Sequence, residues 1–271
     1  MATIFPIAMV VAQQDDFKAV AINEIVRDMD AKIFASADSA TVKKYLPTGG
    51  ASSSMSSFVL FAGDDVVLID AGLGGSQWVK ALSDLGVEPE KIKLILLTHM
   101  HSDHIGGLLN GNSRRFPNAV ILSSKLEYDY WLPQNGKARN AQLEKIKTVY
   151  GNDFSKTFEF DEQVFENALI KIKALNAVGH TPGHTVFLVE SLKSRLLIVG
   201  DLLHAAALQF PAPDICSSYD MEPKATVASR KRILDFAVKQ NILIGGMHFP
   251  VPNIGTVKSN TQGGYEFFPV K

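Results

Sequence analysis

The chain has a single cysteine, Cys216, in 271 residues. That excludes an intrachain disulfide and a cysteine-built zinc knuckle, and it leaves the redox compartment unread. Pro211, Pro213 and Ser217 surround Cys216 and no histidine is adjacent in sequence, so it reads as a spectator thiol. Net charge is equally scarce: 27 lysines and arginines meet 28 aspartates and glutamates, for a net charge of −1. No basic field therefore draws nucleic acid, and the expected partner is a small, uncharged or weakly charged molecule. No apolar run is long enough to cross a bilayer, so no membrane partner is expected. Linkers, repeats and low-complexity segments are missing too, which leaves no place to divide the chain.

What is present is an apolar content of 46%, enough for a sizeable core. Residues 4–12 are apolar and Val10-Val11-Ala12 before Gln13 suits a signal-peptidase site, although no basic residue precedes it. Residues 1–16 accordingly read as the remnant of a signal peptide or an N-terminal extension, and export is favoured over the alternative of an ordinary N-terminal strand. Residues 17–271 read as one domain. Residues 17–35 have strand-like alternation, and 45–57, with Pro47, two glycines and five serines, read as a loop. Phe58–Ala62 and Val66–Ile69 flank Gly63-Asp64-Asp65 as a hairpin where the sheet begins. Strand-like and helix-like stretches then alternate: helices at 77–85, 125–132, 138–150 and 224–239, strands at 92–97, 119–122, 169–175, 186–189, 196–199 and 242–244. The class is α/β.

The densest chemistry is Thr98-His99-Met100-His101-Ser102-Asp103-His104-Ile105-Gly106-Gly107. It sets three imidazoles and a carboxylate within six residues, directly after a buried-strand pattern. His99 and His101, two apart on an extended segment, share a face and can hold one ion. Asp103 and His104 enter the following turn, where a second ion can lie. Imidazole with carboxylate and no sulfur favours zinc or a related divalent transition metal. Gly106-Gly107 would let the backbone pass close to the ions without a Cβ in the way.

The other four histidines, His180, His184, His204 and His248, each follow an apolar strand. Ligands collect at strand ends in α/β sheets, so all of them can share one site. Asp201, after Leu196–Val199, is a costly charge to bury unless it bridges two cations; the alternative reading is a helix N-cap. In Gly179-His180-Thr181-Pro182-Gly183-His184 the spacing does not say which histidine is the ligand. One would bind metal and the other would orient backbone or a neighbour.

His99-x-His101-x-Asp103-His104, the Gly-His-Thr-Pro-Gly-His segment, Gly200-Asp201 and the late His248 together resemble the metallo-β-lactamase superfamily. The resemblance runs from Phe58 onward and implies an αββα sandwich. It makes His180 the ligand of its segment. One ion would then take His99, His101 and His180, the other Asp103, His104 and His248, with Asp201 bridging, while Asp70 and His184 orient ligands. Asp201 points away from true β-lactamases, and His101 stands where flavo-diiron proteins carry glutamate. No room is left for the extra domain of the superfamily's nucleases, and a full second ligand set exceeds what single-iron persulfide dioxygenases need.

Within the superfamily the chain is similar to methyl parathion hydrolase and its lactonase-like relatives. The similarity rests on Phe116-Pro117-Asn118-Ala119-Val120, Asp129-Tyr130-Trp131-Leu132, the stretch from Gly200 to Phe210 and the closing Gly264–Val270. That group lines its pocket with aromatic residues, a role the resemblance gives to Trp131 and Trp78. Three residues past the bridging aspartate, phosphotriesterases of the group carry an aliphatic residue and homoserine lactonases a tyrosine; here it is His204. The resemblance thus implies a two-zinc hydrolase, with a weak suggestion of a homodimer. A hydroxide between the ions would cleave a small hydrophobic ester, lactone or phosphotriester, with Asp103 and His204 as catalytic groups. The competing readings are a glyoxalase II-like thioesterase and an iron-dependent oxidoreductase on the same ligands.

Overall fold

Side-chain alternation along the central strands builds the layers, because successive residues of a strand point to opposite faces. The computed structural model describes residues 9–13, 16–35, 37–133 and 137–270. A first sheet takes β1 (Met9–Gln13), β2 (Lys18–Asp30), β3 (Gly50–Ala62), β4 (Asp65–Ile69) and β5 (Leu94–Leu96). After a small separate hairpin of β6 (Leu109–Asn110) and β7 (Ser113–Arg114), β8 (Val120–Ser124) and β9 (Lys156–Phe158) complete it. Its first four strands are antiparallel, and β4, β5, β8 and β9 run parallel.

The second sheet runs in chain order: β10 (Gln163–Glu166), β11 (Lys171–Asn176), β12 (Thr185–Glu190), β13 (Arg195–Ile198), β14 (Leu243–Gly245), β15 (Ile254–Ser259) and β16 (Tyr265–Pro269). Only its β13–β14 pair is parallel. The helices are α1 (Ser39–Tyr45), α2 (Ser76–Asp84), α3 (Ser102–Ile105), α4 (Lys125–Trp131), α5 (Ala141–Tyr150), α6 (Ala206–Gln209) and α7 (Pro223–Gln240).

Phe58, Leu60, Val67, Ile69 and Leu96 of the first sheet meet Ile172, Phe187, Val189, Leu196 and Ile198 of the second in a layer between the sheets. Their neighbours Val59, Leu68 and Ile95 face the other way, onto Trp78 and Leu82 of α2 and Leu143 and Ile146 of α5. On the far side Leu188 and Leu197 pack against Ile233 and Leu234 of α7. Helix, sheet, sheet, helix is the αββα sandwich expected.

Three expectations need correction. Gly50–Ser57 is no loop but the first half of β3, paired with β2 from Asp30↔Gly50 onward. Its serines masked a buried strand: Ser53, Ser54, Ser56 and Ser57 are buried and their hydroxyls are all hydrogen-bonded, those of Ser53 and Ser54 to loops of the second sheet, Ser56 to Asn23 and Ser57 to Trp78. Ser53 and Ser54, for example, donate to the carbonyls of His248 and Phe249 at 3.0 and 2.8 Å. The sheet therefore begins before Phe58, and Met9–Gln13, read as leader or strand, pairs with β2 as an edge strand. Residues 1–8 lie outside those described.

Gly106-Gly107 serves packing rather than the ions. A Cβ on Gly106 would sit 2.3 Å from the Leu73 carbonyl oxygen, and one on Gly107 2.1 Å from that of Ala71. Trp78, assigned to the pocket, is instead fully buried in the core, edge-on to Phe116 at 6.2 Å between ring centres. It donates Nε1–H to Ser57 Oγ at 2.8 Å. Trp78→Ala should therefore cost about 3–5 kcal/mol of stability, the usual range for removing a buried aromatic. Denaturant unfolding measures this, and an unchanged midpoint would place the indole outside the core.

Candidate metal centre

The parallel strands end at one rim of the sandwich, and there the chain turns away from the sheets. Asp70 follows β4, Thr98 to His101 follow β5, Gly200-Asp201 follows β13, and Met247-His248 follows β14. The segment after β11 brings His180 and His184 to the same rim. Two sets of four ligand atoms overlap there, each within 4.8 Å of one another: His99, His101, His180 and Asp201, and Asp103, His104, His248 and Asp201; a third set of three, His180, His204 and Asp220, adjoins the first. All seven residues proposed as ligands are thus brought together, with Asp201 common to both sets of four.

The far nitrogens of His99, His104, His180 and His248 are committed elsewhere, which turns their near nitrogens inward. His104 donates Nδ1–H to Asp70 at 2.6 Å. His180 donates Nδ1–H to Asp220 at 3.0 Å, and His248 donates Nδ1–H to the Ser54 carbonyl at 2.7 Å. The Thr98 hydroxyl donates to Asp70 at 2.7 Å and accepts from His99 Nδ1–H at 3.1 Å. These bonds fix the tautomers whose Nε2 lone pairs converge. His99 Nε2 and His180 Nε2 each lie 3.0 Å from His101 Nδ1. One proton cannot satisfy both contacts, whereas a cation among three lone pairs can.

His104 Nε2 and Asp201 Oδ1 are buried without a hydrogen bond although 3.1 Å apart, the placement of two ligands side by side. Orphaned buried polar atoms of this kind, with imidazole and carboxylate donors and no sulfur, fit a divalent metal.

Electrostatics tell the same story. Burial would raise the Asp201 carboxyl, yet the facing His248 and His104 hold it well below the usual range. Burial alone would lower His180, but hydrogen bonds to Asp201 and Asp220 raise it to about 9. Burial, and after it the His180 charge, push His101 down to about 4. Without a cation the centre keeps protons on some imidazoles to balance its carboxylates.

His184 takes the orienting role. It donates Nδ1–H to the Ala177 carbonyl at 3.1 Å and accepts from the Asp201 backbone N–H at 3.0 Å. His204 is buried with neither ring nitrogen hydrogen-bonded, its Nε2 3.4 Å from Asp201 Oδ2. It stacks on His248 at 5.1 Å and lies 5.7 Å from the Tyr219 ring.

The centre floors a cavity of about 750 Å³, walled by Met29, Ile33, Met55, Leu73, Trp131 and Tyr219. Trp131 lines this cavity and stands edge-on to His101 at 5.7 Å. Arg27, Asp28 and Asp30 mark the cavity's charged side.

Asp220 and Glu24 are among the groups that escaped sequence reasoning. Asp220 orients His180 and also accepts the Ser217 N–H at 2.8 Å, and its pair with His180 pulls its carboxyl down to about 2 against the effect of burial. Its only sequence sign is a turn-rich Ser217-Ser218-Tyr219-Asp220. Glu24 sits at a bulge in β2 and holds the loop before α2, accepting from the N–H groups of Leu73, Gly74 and Gly75 at 2.7, 3.2 and 2.5 Å.

The folded His184, held at about 3 by burial and then by the His180 charge, stays neutral at pH values where the unfolded residue, near 6.5, takes up a proton. In chelator-treated protein, stability should fall as pH drops from about 6.5 towards 3, by up to about 1.4 kcal/mol per pH unit for this one group. Denaturant unfolding of His184→Gln across that window should show a shallower slope, and an unchanged slope would contradict a neutral, buried His184.

Residues 50–237 match the family model described as the metallo-beta-lactamase superfamily. Among curated relatives, an N-acyl homoserine lactonase of Bacillus sp is 32% identical over 116 residues, 43% of this chain and 40% of that protein. One from Bacillus cereus is 26% identical over 167 residues, 61% of this chain and 59% of that protein. The chain thus spans about half the length of the curated relatives it matches. Among solved structures, hydrolase AbOPH in the beta lactamase superfamily superposes with a TM-score of 0.86 at 26% identity, covering 98% of both chains. AidC, a dizinc quorum-quenching lactonase, shares the fold with a TM-score of 0.83 at 24% identity, also over 98% of both chains. The family match takes in well over half of the chain, and the protein belongs to the metallo-beta-lactamase superfamily.

Proposed function

We propose that the protein is a dinuclear zinc hydrolase of small, hydrophobic, uncharged esters or lactones, with phosphotriesters as secondary substrates. The carrying observation is the pair of ligand sets that share Asp201 on the floor of an apolar cavity. When bound, such ions supply a water that is nucleophilic near neutral pH and a Lewis acid for the carbonyl or phosphoryl oxygen. His99, His101 and His180 would hold one ion, Asp103, His104 and His248 the other, with Asp201 between them.

The chain's own residues do the rest. The apolar wall around Trp131 and Met55 excludes water and binds the hydrophobic part of the substrate. Asp103 and Asp201 both line the cavity, and Asp103, with 18% of its side chain exposed against 3% for Asp201, is the more open of the two and can pass a proton to the leaving group. Neither ring nitrogen of His204 is hydrogen-bonded among the described residues and its Nε2 faces a carboxylate, Asp201 at 3.4 Å, so a ring N–H can be donated to an oxygen that gains charge. That donor favours a carbonyl centre. Arg27 shares its side of the cavity with Asp28 and Asp30, which leaves no net positive charge to recruit an anionic glutathione thioester. The N-acyl homoserine lactonases among the relatives support the same substrate class.

Zinc-reconstituted protein should hydrolyse an acyl homoserine lactone or an aryl ester faster than a phosphotriester or a glutathione thioester, and a chelated control should be inactive. Preference for the phosphotriester, or activity that survives chelation, would overturn this reading. His204→Leu should lower kcat on the carbonyl substrate by about 10²-fold, the scale of one lost oxyanion donor, with a smaller effect on the phosphotriester. Asp201→Ala should lose both bound zinc and activity; full activity in that variant would contradict the shared-ligand arrangement.

A further inference from the structure

Glu127 lies in the first turn of α4 and is fully buried, yet it touches none of the groups that converge on the centre's interior. Its Oε1 accepts the Met100 backbone N–H at 2.9 Å and the Trp131 indole N–H at 2.7 Å. Its Oε2 accepts the Thr181 hydroxyl at 2.7 Å and the Gly183 N–H at 2.9 Å. Met100 stands between His99 and His101, and Thr181 follows His180. One carboxylate therefore spans the two segments that bring the three histidines of one ligand set from different sheets.

The docking around it is close. Ser124 Oγ caps α4 by accepting the Glu127 N–H at 3.1 Å and donates to the Gly183 carbonyl at 2.7 Å. A Cβ on Gly183 would lie 2.1 Å from the Glu127 backbone nitrogen, so only glycine lets the segment seat there.

We infer that Glu127 is a positioning residue that sets His99, His101 and His180 in register as one metal position, and that it leaves the other position untouched. This rests on the two-ion reading above. The chemistry singles out a carboxylate: four donors meet two oxygens with four lone pairs, and Glu127 offers no donor of its own. An amide in its place would set an NH₂ against two donors. None of the four hydrogen bonds to the Glu127 carboxylate comes from Asp103, His104 or His248; His104 is held by Asp70 and His248 by the Ser54 carbonyl instead.

The test is zinc titration in competition with a chromophoric chelator, with thermal unfolding alongside. Wild-type protein should take up two ions. Glu127→Gln should weaken one of them by about 10–100-fold, the usual effect of removing a partner that orients ligands, and leave the other unchanged. On a His180→Ala background, where the affected position is already crippled, the same substitution should change nothing further. Thr181→Val, which deletes one donor of the four, should give a smaller loss at the same position and serves if Glu127→Gln folds poorly. Equal weakening of both ions, or the same loss with and without His180, would mean that Glu127 supports the fold generally and would overturn the inference. A wild-type chain that binds no zinc would overturn the two-ion reading itself, and the positioning role with it.

Discussion

The structure depends on a buried carboxylate set among imidazole nitrogens. Asp201 lies at the junction of both ligand sets, with His180, His248 and His204 nitrogens 3.3, 3.0 and 3.4 Å from its Oδ2. Burying such a charge costs several kcal/mol unless positive charge compensates it. Protons on the imidazoles do this only in part, because neighbouring imidazolium ions repel one another. Divalent cations would compensate it and would satisfy the orphaned nitrogens as well. The rim of the sandwich is organised so that this compensation stays in place.

The scaffold achieves that through directionality. Parallel strands deliver four loops to one rim, and the layer between the sheets fixes the rims relative to each other. From there most of the ligands are aimed by a hydrogen bond on the far side: Thr98 for His99, Asp70 for His104, Asp220 for His180, the Ser54 carbonyl for His248, and His184 for the Asp201 backbone. The partners are themselves buried and bonded, so little entropy remains for an ion to remove on binding. Glu127 extends the principle from single side chains to whole segments.

Much of this could be read in the sequence where it is local. His99, His101, Asp103 and His104 sit within one turn and strand end, and the apolar runs before Asp201 and His248 announce buried strands. What is set by tertiary packing was harder to read. Trp78 and Trp131 are chemically alike, and only the register of α2 against the first sheet sends one into the core while the other lines the cavity. The serines of Gly50–Ser57 carry turn chemistry in isolation. Their strand forms by pairing with β2, and the hydroxyls are satisfied by tertiary partners, the second-sheet carbonyls for Ser53 and Ser54, Asn23 for Ser56 and Trp78 for Ser57. Ser124-Lys125-Leu126-Glu127 has the spacing of a helix capping box, and that local reading hides the inward turn of Glu127. Asp220 and Glu24 act 40 and about 50 residues away from their partners, beyond the reach of any local pattern.

The central claim is that one carboxylate is shared by two ions. Anomalous diffraction at the zinc edge from zinc-loaded crystals tests it directly. The account predicts two peaks about 3.5–4 Å apart, both within about 2.0–2.2 Å of an Asp201 oxygen. One should lie against His99, His101 and His180, the other against Asp103, His104 and His248. A single peak, or two peaks with Asp201 bound to only one, would contradict it.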